Sequence, residues 1–154
     1  CKDPLSVEEA YKYTEAIIHG RVIKKTFVSF ESTMDTEKID ALRSSLQEDS
    51  QKLAMFESKF IIELQVEVLK VFKGNLVSDT ITLYTSRNGA SCGFTRFEEG
   101  QDFIIYAFSK SHMFWLFDSK DALERKNTLW TNHCTRTEEF SASEAAELEL
   151  LMTK

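Results

Sequence analysis

Asn88-Gly89-Ala90-Ser91-Cys92-Gly93-Phe94-Thr95-Arg96-Phe97-Glu98-Glu99-Gly100-Gln101-Asp102-Phe103-Ile104-Ile105-Tyr106-Ala107 is the stretch on which the fold turns. It opens with Asn88-Gly89, a pair that tolerates positive φ and so predicts a tight turn. It sets Cys92 beside Gly93 at the tip of a loop, and turns again at Glu99-Gly100-Gln101. An apolar strand follows from Phe103 to Phe108, with bulky side chains at consecutive positions. A half-buried strand alternates apolar and polar residues, so this one is expected in the middle of a closed sheet. A rigid strand carrying a cysteine-anchored loop is a means of holding that loop still for a partner.

Upstream, Phe60, Ile62, Leu64, Val66 and Val68 alternate with Ile61, Glu63, Gln65, Glu67 and Leu69. That period of two predicts a strand. Lys73-Gly74-Asn75 supplies a turn, and Asp79 to Ser86 gives a strand with Ile81 and Leu83 inward, Thr82 and Tyr84 outward. Ser6-Val7-Glu8-Glu9 reads as a capping box, and a short helix to about Thr14 places Val7, Ala10 and Tyr11 on one face. Ala16 to Ile23 is the first strand, extending through Phe27 to Phe30, and Gly20 inside it predicts a bulge or bend. Residues 31–57 turn polar, with Ile39, Leu42, Leu46 and Leu53 near helical spacing. They predict an inserted helix, covering one end of the barrel, followed by a mobile loop.

Downstream, His112 lies in a turn and Met113 to Phe117 pairs back as a fifth strand. A polar loop, Asp118 to Asn127, leads into Leu129 to Thr137. Ser141-Ala142-Ser143-Glu144 is a second capping box, before a last helix with Ala145, Leu148 and Met152 on one stripe. Five short antiparallel strands close best into a small barrel. The expected fold is mainly β, a five-stranded closed β-barrel with N-terminal and C-terminal helices and a helical insertion, in one domain spanning 1–154.

Composition bounds the function. The chain has 154 residues, 42% hydrophobic and 29% charged, which suits one folded domain. One Pro and five Gly leave little room for a flexible linker. No apolar run approaches the roughly 20 residues a membrane helix needs. The formal net charge is −6, with scattered Lys and Arg, which argues against a nucleic-acid backbone as partner.

The three histidines, His19, His112 and His133, fall in separate segments without HExxH or ligand spacing, so they read as surface or rim residues. Cys134 follows His133, but neighbours on a strand face opposite ways, so no Cys–His dyad is expected. GxSxG, P-loop and GxGxxG motifs do not occur, and the chain is not expected to be an enzyme or to need a cofactor. The cysteines are Cys1, Cys92 and Cys134, without CxxC spacing. Read as a natural terminus, Cys1 implies removal of a signal peptide, and its sulfur either carries a lipid thioether or is bridged. Either places the chain outside the cytosol, secreted or on a bacterial cell surface, and any membrane contact would run through a lipid on Cys1. Cys92 and Cys134 are either small buried side chains or partners in a bridge, and their polar loops favour the bridge.

Several pieces in order resemble one family. They are Cys1, the capped helix with Ala10-Tyr11, Ala16-Ile17-Ile18-His19-Gly20-Arg21-Val22, Val68-Leu69-Lys70-Val71-Phe72-Lys73-Gly74, Ser91-Cys92-Gly93-Phe94, Phe97 to Ala107, and Cys134-Thr135-Arg136-Thr137. The set resembles the netrin-like modules, which include the tissue inhibitors of metalloproteinases (TIMPs) and bacterial relatives, and it covers most of the chain outside 31–57. The resemblance implies an OB-type barrel. It also implies a partner, a zinc metalloproteinase or other extracellular protein, whose zinc the Cys1 α-amine and carbonyl oxygen would chelate in place of water. Cys1 would be a metal ligand only to that partner's zinc. The resemblance implies a Cys1–Cys92 bridge, Lys2 in the protease's specificity pocket, and Ala90, Ser91 and Cys92 as a second edge of contact. Departures from the pattern are Asp3 where a second cysteine usually stands, Lys2 where a small residue is usual, and an uneven cysteine count. The alternative is an extracytoplasmic lipoprotein or binding module without inhibitory activity, with Cys92–Cys134 as its pair.

Overall fold

The structure is a computed structural model that describes residues 3–111 and 128–154. Helix α1, Val7–Tyr13, starts at the expected capping box. The Ser6 hydroxyl accepts from the Glu9 N–H and the Glu9 carboxylate accepts from the Ser6 N–H. Strand β1, Ala16–Val28, is followed by a 3-10 turn, Phe30–Thr33. Helices α2, Thr36–Ser45, and α3, Ser50–Glu57, precede β2, Ile61–Lys73, and β3, Thr80–Ser86. Then come β4, Asp102–Ala107, β5, Thr128–Trp130, β6, Glu138–Glu139, and α4, Ala142–Met152.

The strands form one six-stranded sheet in the order β5-β3-β2-β1-β4-β6. All neighbours are antiparallel except β3 and β5. Strand β1 organises the sheet, because Ala16 to Arg21 pair with β4 while the whole strand runs along β2. Its register slips at three places, one of them between His19 and Gly20, as the glycine predicts. A Cβ on Gly20 would fall 2.5 Å from Val66 Cγ1, so glycine lets the core close over the bend.

The expected closed five-stranded barrel is corrected. Among the described residues the protein is a mixed α/β structure with four α-helices and a six-stranded sheet whose ladder is not closed into a barrel. The physical reason is length. Strand β5 has only three residues, and among the described residues one bridge, Phe108 with Trp130, links it to the end of β4 through N–H···O bonds of 2.9 and 2.7 Å. The expected strand Met113 to Phe117, His112 and the loop Asp118 to Asn127 lie outside the described residues.

Three apolar clusters sit on this sheet. One face gathers Ile18, Val22, Leu64, Val66, Leu83, Phe94, Phe97, Phe103 and Ile105. A second cluster packs Phe30, Met34, Leu42, Leu46 and Phe56 against Ile61, Tyr84 and Trp130. The insertion is therefore two helices and not a helix with a mobile loop. Asp49 caps α3 by accepting from the Lys52 N–H at 3.1 Å, and Phe56 is fully buried. In the third cluster, α1 and α4 bring Val7, Ala10 and Leu148 onto Ile17, Phe72, Ile104 and Tyr106. Met152 of the predicted stripe is exposed, and Leu151 packs in its place. Strand β4 is apolar on both faces for this reason. Phe103 and Ile105 enter the first cluster, while Ile104 and Tyr106 lie under helices.

Candidate protein-contact corner

The loop after β3 is built by local hydrogen bonds. The Asn88 side chain accepts from the Ala90 N–H at 2.8 Å, the Cys92 N–H donates to the Gly89 carbonyl at 3.0 Å, and the Gly93 N–H donates to the Asn88 carbonyl at 3.1 Å. The left-handed residue is Cys92, at φ 61°, and not Asn88 or Gly89 as the Asn-Gly pair predicts. Asn88 stays extended because its side chain, by closing the turn itself, removes the need for positive φ. Gly93 is required for a different reason. A Cβ there would sit 1.9 Å from the Ser86 carbonyl oxygen. Phe94 then anchors the loop in the core, its N–H donating to Thr85 Oγ1 and its ring packing edge-on to Phe97 and Phe103.

A second loop leans on the first. The segment Leu129 to Thr137 leaves the sheet after Trp130. Asn132 turns it, with Oδ1 accepting from the Cys134 N–H at 2.8 Å and the Thr135 N–H at 3.1 Å. His133 and Cys134 therefore sit in a turn, where neighbours need not face opposite ways. The His133 N–H donates to the Cys92 carbonyl at 3.0 Å and joins the two loops. The Cys92 and Cys134 sulfurs and a His133 ring nitrogen all lie within 4.8 Å of one another. Cys134 is disulfide-bonded, so its sulfur is not a thiolate ligand and the three groups are not a metal site in this state. Cys92 is a free thiol, so the bond to Cys1 that the resemblance implies is not made in this structure.

Buried threonines hold the second loop to the sheet. The Tyr106 N–H donates to Thr137 Oγ1 at 2.9 Å, and the Thr131 hydroxyl donates to the Tyr106 carbonyl at 2.8 Å. Arg136 forks onto Glu144 through Nε at 3.1 Å and Nη2 at 3.0 Å, and its Nη1 reaches the Leu5 carbonyl at 2.7 Å. The Tyr106 hydroxyl donates to the same carboxylate at 2.8 Å. Burial first, and then Glu144, push the Tyr106 hydroxyl far above its ordinary range, so it remains a donor. Burial works against the Arg136 charge, but the bonds to Glu144 outweigh it and raise its affinity for the proton. The N-terminal segment is thus fastened beside the corner through Leu5.

Of the expected contact residues, Ala90 is exposed at the tip and Cys92 is half-buried, while Asp3 is exposed. Cys1 and Lys2 lie outside the described residues. An open groove of about 570 Å³ runs along Phe60, Arg87, Asn88, Gly89 and Thr95. A smaller cleft of about 210 Å³ lies beside Leu5, Tyr13, Phe108, Cys134 and Arg136. His19 belongs elsewhere. Its Nε2 meets Asp102 Oδ2 at 2.8 Å, its ring stacks on Phe140, and Arg21 Nε donates to Asp102 Oδ1 at 2.7 Å. The bond from Arg21 outweighs burial and, with that from His19, holds the Asp102 carboxyl below its usual range. A scan against protein-family models and a search of curated proteins give no match to the chain.

Proposed function

We propose that the protein is an extracytoplasmic, TIMP-like protein-binding module whose contact surface is the Asn88–Cys92 tip beside the N-terminal segment, and whose partner is a zinc metalloproteinase. The observation that carries this is the immobilised corner. Cys92 is held in a left-handed conformation, and the His133 N–H bonds to its carbonyl at 3.0 Å, while Ala90 stays exposed. A loop already fixed loses little ordering entropy on binding.

In this mechanism the Cys1 α-amine and carbonyl oxygen take the coordination position that the protease keeps for water. An α-amine titrates near 7.7–8.0, so a useful fraction is unprotonated at neutral pH. Lys2 and Asp3 follow into the cleft, and Ala90, Ser91 and Cys92 meet its other edge. The test is titration of a panel of zinc metalloproteinases with protein bearing a free Cys1 amine, and again after acetylation of that amine. Stoichiometric inhibition lost on acetylation supports the mechanism. Micromolar or weaker inhibition across the panel overturns it.

Because the free Cys92 thiol is not tethered to Cys1, a second assignment is a binding module or lipoprotein without inhibitory activity, secreted or held on a bacterial cell surface, although the Cys92–Cys134 pair expected with it is not made either. There the Cys1 sulfur carries lipid, and intact mass of the natively expressed protein separates the two. Acyl chains add mass, whereas a bridge removes two hydrogens.

A further inference from the structure

We propose that Cys92 is an exchange thiol for Cys134, so that a disulfide held by Cys134 passes to Cys92 and ties the two corner loops together. Three observations converge on this. Cys92 carries a free, half-buried thiol, whereas Cys134 is disulfide-bonded. Its sulfur, the Cys134 sulfur and a His133 ring nitrogen lie within 4.8 Å of one another. The backbone bond from the His133 N–H to the Cys92 carbonyl at 3.0 Å holds the two loops in that relation, so the sulfurs do not have to find each other by loop motion. Bonding them needs a sulfur–sulfur distance of about 2.05 Å, which side-chain rotation must supply.

The step conserves electrons. The Cys92 sulfur attacks the Cys134 sulfur of an existing disulfide. The Cys92–Cys134 bond forms as the bond from Cys134 to its former partner breaks. The former partner leaves with the electron pair and ends with the proton that Cys92 gives up, for which the His133 ring offers a relay. One disulfide and one thiol enter, and one disulfide and one thiol leave, so no oxidant is consumed. The consequence rests on the proposed function, although the chemistry does not. A Cys92 sulfur bonded to Cys134 is closed to Cys1, so exchange would keep Cys92 from forming the Cys1–Cys92 tether that the inhibitory mechanism implies.

The probe is glutathione disulfide, added to reduced Cys1→Ser protein, which leaves Cys92 and Cys134 as the thiols. The adducts are followed by intact mass and by peptide mapping without reductant. The expected product is a Cys92–Cys134 crosslink with no glutathione retained. Its mixed-disulfide precursor should clear at least about tenfold faster than in the variants below, because the attack is intramolecular. Adding Cys92→Ser or, in a separate protein, Cys134→Ser should leave glutathione on the remaining cysteine. Persistence of the adduct in the Cys1→Ser protein, at the lifetime seen in either double variant, overturns the proposal. Protease titration reads the inhibitory function independently, so failure of one leaves the other standing.

Discussion

Substituting Gly93 by alanine tests the corner at its tightest point. The added Cβ would lie 1.9 Å from the Ser86 carbonyl oxygen, 2.6 Å from its carbon and 3.1 Å from the Asn88 oxygen. All three are backbone atoms, and Ser86 is buried at the end of β3, so no side chain can swing aside. Either the end of β3 or the loop must move by more than an ångström. Moving the loop puts at risk the Gly93 N–H bond to Asn88 and the His133 N–H bond to Cys92. Overpacking of this kind costs about 1–3 kcal/mol and each lost bond about 1 kcal/mol, so we expect Gly93→Ala to destabilise by about 2–4 kcal/mol. Gly89→Ala is the control. No atom lies within 4 Å of its would-be Cβ and its φ is not positive, so its effect should stay within about 0.5 kcal/mol. Urea unfolding followed by tryptophan fluorescence measures both. A Gly93→Ala protein as stable as wild type, or a Gly89→Ala protein equally damaged, would refute the account of the loop.

Phe56→Ala should cost about 3–5 kcal/mol in the same assay, because Phe56 is fully buried in the cluster under α2 and α3; a loss below about 1 kcal/mol would mean the insertion is not docked. Tyr106→Phe removes a single donor to Glu144, which keeps Arg136, and should cost about 1 kcal/mol by thermal or urea unfolding. Asp102 carries a pH dependence. Its folded affinity for protons is depressed, so its contribution is present above the unfolded value near 3.9 and fades as pH falls through the lower folded value. The stability deficit of Asp102→Asn, mapped by urea midpoints across the acid range, should therefore shrink on acidification, and a deficit constant with pH contradicts the assignment.

How much of this was legible in the sequence depended on whether the signal was local. The alternation from Ile62 to Val68 and the Ser6–Glu9 box are nearest-neighbour patterns, and β2 and α1 follow them. Gly74 and Gly100 take the positive φ their turns predict. Strand β4 misled because two apolar faces look alike whether helices or a closing sheet cover them, and here α1 and α4 cover the face of Ile104 and Tyr106. The break at Asn132 was present in the sequence as an Asn whose side chain accepts from the N–H groups two and three residues on, at Cys134 and Thr135, but the apolar start at Leu129 and Trp130 masked it. Missing that turn hid the meeting of Cys92, His133 and Cys134, since Cys92 lies 41 and 42 positions before the other two and nothing local links them. The fork from Arg136 to Glu144 and its reach to Leu5 likewise join segments that only the fold brings together.

Inhibition of a zinc metalloproteinase by wild-type protein and by Ala90→Arg, with Cys1 as the mature terminus in both, tests the contact surface most directly. A large charged side chain at the exposed tip should weaken binding by about 10- to 100-fold, or about 1.4–2.7 kcal/mol, without changing the unfolding midpoint. Equal inhibition by the two proteins, or none by either, would contradict the assignment of this corner as the surface that meets the protease.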